Sequence, residues 1–114
     1  MAFYALLFLF PKLIRQYRSE KYPFACDFYD PISDTYFEYN GLWTHGGHFF
    51  NPSSKEDQEK IKLWKSKNTK FYDSAIATWT IRDVKKRKTA KENNLNWIEF
   101  FNMKEFDNWL NNIK

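Results

Sequence analysis

The chain has 114 residues with a formal net charge of +4 at pH 7, and 21% of them are aromatic. This length accommodates one domain with a modest core and excludes a second folding unit, so we expect a single domain over residues 1–114. The basic excess favours a polyanionic partner, whereas the single cysteine, Cys26, excludes an internal disulfide and a cysteine-rich zinc site and favours a reducing cytoplasm.

An apolar run opens the chain, from Met1 to Phe10, and Pro11 ends it because a proline ring does not fit inside a helix. The run is too short to span a bilayer and lacks the basic residues and cleavage site of a signal peptide. We therefore interpret it as a buried helix and expect no membrane partner. Leu13 to Tyr17 is a first strand or an extended connector, and Ser19 to Pro23 is a polar turn.

Two predicted strands follow, Phe24 to Tyr29 and Thr35 to Tyr39. The residues between them, Asp30 to Asp34, include proline, aspartate and serine, which favour turns, so we expect an antiparallel hairpin. Side chains alternate along a strand. Asp27 and Glu38 can therefore point to one face of the hairpin while the neighbouring phenylalanines point to the other.

These two carboxylates form a candidate metal site. Hard cations prefer oxygen ligands completed by a backbone carbonyl and water, and like charges held close together need a cation or a proton between them. The alternative is that Asp27 and Glu38 are solvated acids on a half-exposed strand. His45 lies seven residues after Glu38, in a loop from Asn40 to Asn51 that holds all three glycines and both histidines. Such specific content favours a functional loop.

Helices account for most of the second half of the sequence. Ser53 or Ser54 caps a predicted helix that runs to about Lys67, with Ile61 and Trp64 on its inner face. The later elements are a helical piece around Phe71 to Ala77, a helix from Ile81 or Asp83 to about Asn93, a strand from Trp97 to Phe101, and a helix from Met103 to Ile113 with Phe106, Leu110 and Ile113 inward. This order predicts an α/β or α+β domain of three layers around a mixed sheet.

The helix that begins at Ile81 or Asp83 is strongly basic. Its cationic residues are Arg82, Lys85, Lys86, Arg87, Lys88 and Lys91. Such a run is usually a solvated helix face. In a protein that binds nucleic acid, the same residues contact phosphates and fix the register without reading the base sequence.

Several motifs occur together in the order and spacing of a known nuclease family. They are Asp27 followed by Glu38-Tyr39-Asn40, the run NGLWTH from Asn40 to His45, WKSKN from Trp64 to Asn68, IRD from Ile81 to Asp83, and NLNWIEFF from Asn94 to Phe101. In this combination the chain resembles the very short patch repair endonucleases and the related EDxHD homing endonucleases of phages, within the PD-(D/E)xK superfamily. The resemblance covers residues from about 15 to 101. It implies a restriction-endonuclease-like fold, a central mixed sheet flanked by helices, and a DNA endonuclease encoded by a phage or mobile element.

The resemblance also implies catalytic roles. Asp27 binds magnesium, which manganese can replace, and the carbonyl of Tyr39 is a second ligand. Glu38 is the further ligand that the paired hairpin acids and the wider PD-(D/E)xK pattern favour. His45 activates the attacking water, and Asp83 orients His45. This division of work is physically reasonable, because the metal neutralises charge that grows on the phosphate while a carboxylate-oriented imidazole takes the proton of the water.

For such a nuclease we expect a further set of residues to contact DNA: Asn40, His48, Arg82, Lys85, Lys86, Arg87 and Lys88. Alternatives stay open for two of them, because Asn40 can simply supply a turn before Gly41 and His48 can be a solvated loop histidine. Trp43, Phe49 and Phe50 can wedge between base pairs or can pack in the core. Pairing of two chains into a homodimer is also left open.

Three features depart from the family. An acid on its first helix has no equivalent in Met1 to Phe10, so it is missing, cut off by the chain start, or replaced by Glu38 or Glu20. The structural zinc ligands of the repair enzymes are absent, since Leu42, Gly47 and Phe49 occupy that region. No zinc is therefore expected. Glu38 is acidic where the repair enzymes are not.

Two other functions fit the same sequence. The missing first-helix acid favours a catalytically inactive DNA-binding module of the same fold, and the many aromatic residues favour a protein-interaction domain.

Overall fold

The computed structural model describes residues 2–113, and Met1, where the predicted first helix begins, lies outside them. These residues form a mixed α+β domain, as the element order predicts. Its helices are α1 (Ala2–Leu9), α2 (Lys55–Ser66), α3 (Lys70–Ala77), α4 (Asp83–Glu92) and α5 (Met103–Ile113). Its strands are β1 (Ile14–Tyr17), β2 (Cys26–Asp30), β3 (Thr35–Tyr39) and β4 (Asn96–Phe100).

The sheet has the order β1-β2-β3-β4, with β1, β2 and β3 antiparallel and β4 parallel to β3. The predicted hairpin is confirmed, and Phe28 lies opposite Phe37. Strand β2 begins at Cys26, two residues later than predicted, because the chain still turns at Pro23, where the Phe24 N–H donates to the Tyr22 carbonyl at 2.8 Å.

Two apolar clusters cover the two faces of the sheet. On one face α1 and α5 pack against Phe37 and Phe100 through Leu6, Phe106 and Leu110. On the other face α4 packs through Ala90 against a cluster of Tyr22, Cys26, Tyr29 and Tyr36. Because neighbouring residues of β3 point to opposite faces, these clusters give the three layers that the element order predicts.

A third cluster lies outside the sheet, where the α2 and α3 helices meet the chain that leads to α4. Trp79, Trp64 and Ala75 are buried in it, and Phe50 and Ile61 pack against them. The predicted inner face of α2 is thereby confirmed. The predicted cap is confirmed as well, since the Ser54 hydroxyl accepts from the Asp57 N–H at 3.2 Å.

The helical segments from Lys70 to Glu92 are continuous, where the sequence predicts two separate helices. A π-helical turn, Thr78–Arg82, joins α3 to α4, and the Asp83 N–H donates to the Thr78 carbonyl. No proline or glycine interrupts this stretch of sequence, so nothing ends the helix, and the π turn absorbs an extra residue. Its consequence is that both Trp79 and Asp83 are buried.

Two predictions about burial are wrong. Helix α1, predicted to be buried, is buried along one side only, at Leu6. On its other side Tyr4 is 65% exposed and Phe8 is 86% exposed. Ile113, predicted to face inward, is 46% exposed. Both results have one reason, which is that a helix lying on a sheet buries a single stripe. No helix within residues 2–113 is long and apolar enough to cross a membrane.

Cys26 provides a simple check of this fold. It is the first residue of β2 and is fully buried. Burial raises the pKa of its thiol to about 12. Because the thiolate is the reactive form, we expect no reaction of the native chain with a thiol reagent at pH 8 and one equivalent after unfolding in guanidinium. A Ser53→Cys variant, with an exposed added thiol, serves as the reactive control. Rapid labelling of Cys26 in the native chain would contradict the fold.

Candidate functional site

The two carboxylates of the hairpin lie side by side at the end of the β2–β3 ladder. In this position each carboxylate accepts a hydrogen bond from a backbone N–H of the opposite strand. The Asp27 N–H donates to Glu38 Oε1 at 3.1 Å, and the Tyr39 N–H donates to Asp27 Oδ2 at 2.8 Å. The structure thus brings together the three residues in which the sequence places a metal site.

Glu38 is the inner member of this group and is only 2% exposed. Its Oε2 accepts from the Tyr22 hydroxyl and lies 3.2 Å from the Lys86 ammonium. Burial raises the pKa of Glu38, against the lowering effect of Lys86 and Tyr22. Both oxygens of Glu38 are engaged by protein donors, and Lys86 already supplies a compensating positive charge. Glu38 is therefore poorly placed to be a metal ligand.

Asp27 is the outer member and opens to solvent. It lines a cleft of about 410 Å³ together with Arg15, Gln16, Phe28, Tyr39, Gly41 and Leu42. Within the part of the chain whose side chains are described, Asp27 Oδ1 has no hydrogen-bond donor. A hard cation prefers a free carboxylate oxygen and a backbone carbonyl. Asp27 and Tyr39 fit that chemistry, although residues 2–113 contain no cluster of three or more His, Cys, Asp or Glu side chains placed to hold a metal.

His45 and Asp83 form a hydrogen-bonded pair, as the family resemblance implies. Nδ1 of His45 lies 2.6 Å from Oδ2 of Asp83, across 38 residues of sequence. Asp83 is 1% exposed, whereas the His45 side chain is 20% exposed. A carboxylate that accepts from Nδ1–H fixes the imidazole tautomer and leaves Nε2 as an acceptor. In the described residues that nitrogen has no protein partner.

The loop that carries His45 is fixed from below by Trp79. A 3₁₀ turn, Trp43–His45, ends at Gly46, whose φ of +73° favours glycine. A Cβ at Gly46 would lie 2.1 Å from Cε2 of Trp79, so the backbone rests directly on the indole ring. The indole N–H of Trp79 donates to the His48 carbonyl at 2.9 Å. The π turn therefore positions both groups of the pair: Trp79 packs under the loop that carries His45, and the turn leads directly into Asp83.

His48 pairs with a different carboxylate. Its Nε2 lies 2.7 Å from Oδ1 of Asp57, and its side chain is 53% exposed while Asp57 is buried. Burial, which raises the pKa of Asp57, is outweighed by the hydrogen bond from the Asn51 N–H and the contact with His48, so that the pKa falls below its usual value. His48 thus attaches the loop to α2, and one ring nitrogen remains on the exposed side.

Arg87 and Asn40, predicted to contact DNA, point inward to Glu99. The Arg87 guanidinium donates to both oxygens of Glu99, at 2.7 and 3.0 Å, and the Asn40 amide donates to the same carboxylate. Arg87 also lies 4.3 Å from the ring centroid of Phe49. Burial raises the pKa of Glu99 against the lowering effect of Arg87. These groups satisfy a buried charge and are engaged within the protein.

The remaining predicted basic residues divide by helix face. Lys86 lies on the inner face of α4 at Glu38, whereas Arg82, Lys85 and Lys88 are exposed. Glu99, the partner of Arg87, is not among the residues predicted from the sequence. Its signal was available, since an acid within the apolar run from Trp97 to Phe101 requires a buried counter-charge.

The arrangement provides a base, a carboxylate and an open cleft. His45 can take a proton at Nε2 because Asp83 stabilises the resulting imidazolium, and Asp27 presents a free oxygen to the cleft.

A scan against protein-family models finds no match to this chain, and searches of the curated proteins and of the solved structures find no match either.

Proposed function

We propose that this chain is a magnesium-dependent DNA endonuclease of the restriction-endonuclease-like fold, encoded by a phage or mobile element and acting in the cytoplasm of the host cell. The observation that carries the proposal is the 2.6 Å contact between His45 and the buried Asp83. The motifs that resemble very short patch repair and EDxHD enzymes support it independently of this contact.

In this proposal His45 is the general base for the attacking water. Asp83 holds Nδ1, so Nε2 is the nitrogen that accepts the proton. The buried carboxylate also stabilises the imidazolium that forms, because a charge pair is stronger where water is excluded. Trp79 keeps the loop in place, which matters because proton transfer requires hydrogen-bond distance between the base and the water.

Asp27 and the carbonyl of Tyr39 would hold the magnesium, which manganese can replace, and no zinc is needed. When bound, the metal would neutralise charge on the phosphate. Glu38 has a different part in this proposal, because its Oε1 accepts the Asp27 N–H at 3.1 Å and so helps to position the Asp27 backbone. This assignment replaces the two-carboxylate metal site that the sequence favours.

DNA would lie along the exposed side of α4. Lys85 and Lys88 of α4, and Arg82 at the end of the preceding π turn, are exposed, and phosphate contacts of this kind fix a protein on DNA without reading its sequence. The net charge of +4 has the matching sign. The exposed ring of His48 is a further candidate for a phosphate contact.

The proposal is tested by the metal dependence of cleavage. Purified chain in Mg²⁺ is expected to convert supercoiled plasmid to the nicked or linear form, and EDTA is expected to stop the conversion. Activity should return when Mg²⁺ is added in excess of the chelator, because the metal neutralises the transition-state charge. Cleavage that persists in EDTA, or no cleavage in either Mg²⁺ or Mn²⁺, would overturn the proposal.

A second candidate is a DNA-binding module of the same fold without activity. The contact of Lys86 with Glu38 favours it, since one of the two hairpin carboxylates already has its counter-charge. Such a module would bind DNA with an affinity that falls steeply as salt rises, and it would cleave nothing in either metal. Fluorescence anisotropy of a labelled DNA duplex, measured with the same protein preparation as the plasmid assay, distinguishes the two candidates.

A further inference from the structure

A second, basic cleft lies between the chain that enters β2 and the N-terminal part of α4. Its volume is about 330 Å³, and it shares no lining residue with the Asp27 cleft. Its lining residues are Arg18, Pro23, Phe24, Ala25, Arg82 and Lys86. Three of these side chains carry a positive charge, and none carries a negative one.

Two of the three cations of this cleft, Arg18 and Arg82, have no carboxylate partner among the described residues. Within the described part of the chain, neither Arg18 nor Arg82 has a carboxylate oxygen within 4.0 Å. Arg18 makes only a long hydrogen bond, from Nη1 to the Pro23 carbonyl at 3.4 Å. Lys86 contacts Glu38 at 3.2 Å and has further N–H donors. The cleft therefore concentrates positive charge with unused donors.

The chemistry of these donors selects a phosphate. A guanidinium presents a planar fork that matches two phosphate oxygens, and a lysine adds a point charge. A concave surface lined by one sign of charge also strengthens the local field. The remaining walls are Phe24, which is half-buried, and Pro23 and Ala25, which are exposed. They offer an apolar surface for the sugar attached to a phosphate.

We propose that this cleft binds a backbone phosphodiester of the nucleic acid, next to the one that is cleaved. The proposal rests on the proposed function and adds Arg18, which is not among the residues predicted to bind DNA from the sequence. A chain of contacts joins the two clefts, since Lys86 reaches Glu38 and Glu38 accepts the Asp27 N–H at 3.1 Å. Arg82 also directly precedes Asp83. A strand held at this cleft would therefore lie next to the Glu38–Asp27 part of the proposed site.

The proposal is tested by NMR titration of the ¹⁵N-labelled chain in EDTA, where cleavage is not required. The probe is thymidylyl-(3′→5′)-thymidine, which carries one phosphodiester. We expect it to shift the Ala25 and Arg82 amides and the Arg18 Nε–H. Arg18→Gln and Arg82→Gln are each expected to lower the affinity for the probe by at least about tenfold, the effect of losing a charged hydrogen bond. Arg18→Lys, which keeps the charge but loses the fork, should bind with intermediate affinity.

Lys104→Gln is the matched control, because Lys104 is an exposed residue of α5, which packs on the opposite face of the sheet from α4. It removes the same charge outside the cleft and should leave probe binding unchanged. Equal weakening by Lys104→Gln, or normal binding by Arg18→Gln, would overturn the proposal. Shifts with inorganic phosphate but not with the dinucleotide would assign the cleft to a free phosphate and also overturn it.

Duplex DNA supplies the second readout, again in EDTA. Arg18→Gln and Arg82→Gln should each reduce the slope of log affinity against log salt by about one, as expected for one lost phosphate contact, and Lys104→Gln should leave the slope unchanged. An unchanged slope in both arginine variants would count against the proposal. Binding at the cleft without any cleavage would remove the endonuclease proposal and leave this one standing, so the two failures are distinguishable.

Discussion

Replacing His45 by alanine is expected to abolish plasmid nicking in a standard assay while leaving the fold intact. A positioned general base contributes about 10²–10⁴-fold to a rate, and the His45 side chain is 20% exposed on a short turn, so little packing is lost. Asp27→Ala is expected to abolish nicking for a different reason, the loss of the metal-binding oxygen. Initial rates in Mg²⁺ and far-UV circular dichroism of each variant measure the two parts of this expectation.

Asp83 supplies the sharper version of this test. If His45 and Asp83 act as one unit, the double variant His45→Ala/Asp83→Asn should lose about as much activity as His45→Ala alone, because effects within a catalytic unit are not additive. His48→Ala is the control of the same residue type, since His48 pairs with Asp57 instead. It should lose much less activity than His45→Ala, because it removes a loop contact and a candidate phosphate contact but no general base. Wild-type-like rates for His45→Ala and Asp27→Ala would sink the assignment.

Trp79→Ala is expected to cause the largest loss of stability. Trp79 is fully buried, packs on Trp64 and Phe50, and donates to the His48 carbonyl. Truncation of a buried tryptophan costs about 3–5 kcal/mol, a large share of the roughly 5–15 kcal/mol by which domains are stable. Urea unfolding followed by circular dichroism measures the change in the free energy of unfolding.

Two further variants make the Trp79 prediction specific. Phe71→Ala removes an aromatic side chain from the same helical run, but Phe71 is 62% exposed, so a loss within about 1 kcal/mol is expected. Trp79→Phe keeps a ring and loses the hydrogen bond, and it should lie between the other two. The same ranking is expected for nicking rates, because the loop bearing His45 rests on this indole. Equal stability of Trp79→Ala and Phe71→Ala would contradict the packing described above.

Local sequence determined the elements and their order. Turn-forming residues between Asp30 and Asp34 specify the hairpin, and strand alternation then places Asp27 beside Glu38. Ser54 specifies the start of α2. These features depend on residues a few positions apart, so they can be predicted without knowledge of the tertiary structure. The link from His45 to Asp83 was available only through the family resemblance, because no local pattern joins residues 38 positions apart.

Tertiary structure decided which charges are available for function. The sequence presents α4 as one basic stretch, yet Lys86 and Arg87 are directed to Glu38 and Glu99 on neighbouring strands, and Arg18 joins Arg82 from a distant part of the chain. The physical reason is that a buried carboxylate requires a counter-charge, and the cation that supplies it depends on which helix face packs on the sheet. The amino-acid sequence by itself therefore determined a basic protein with acids on a hairpin, and packing decided which of those groups remain free to act.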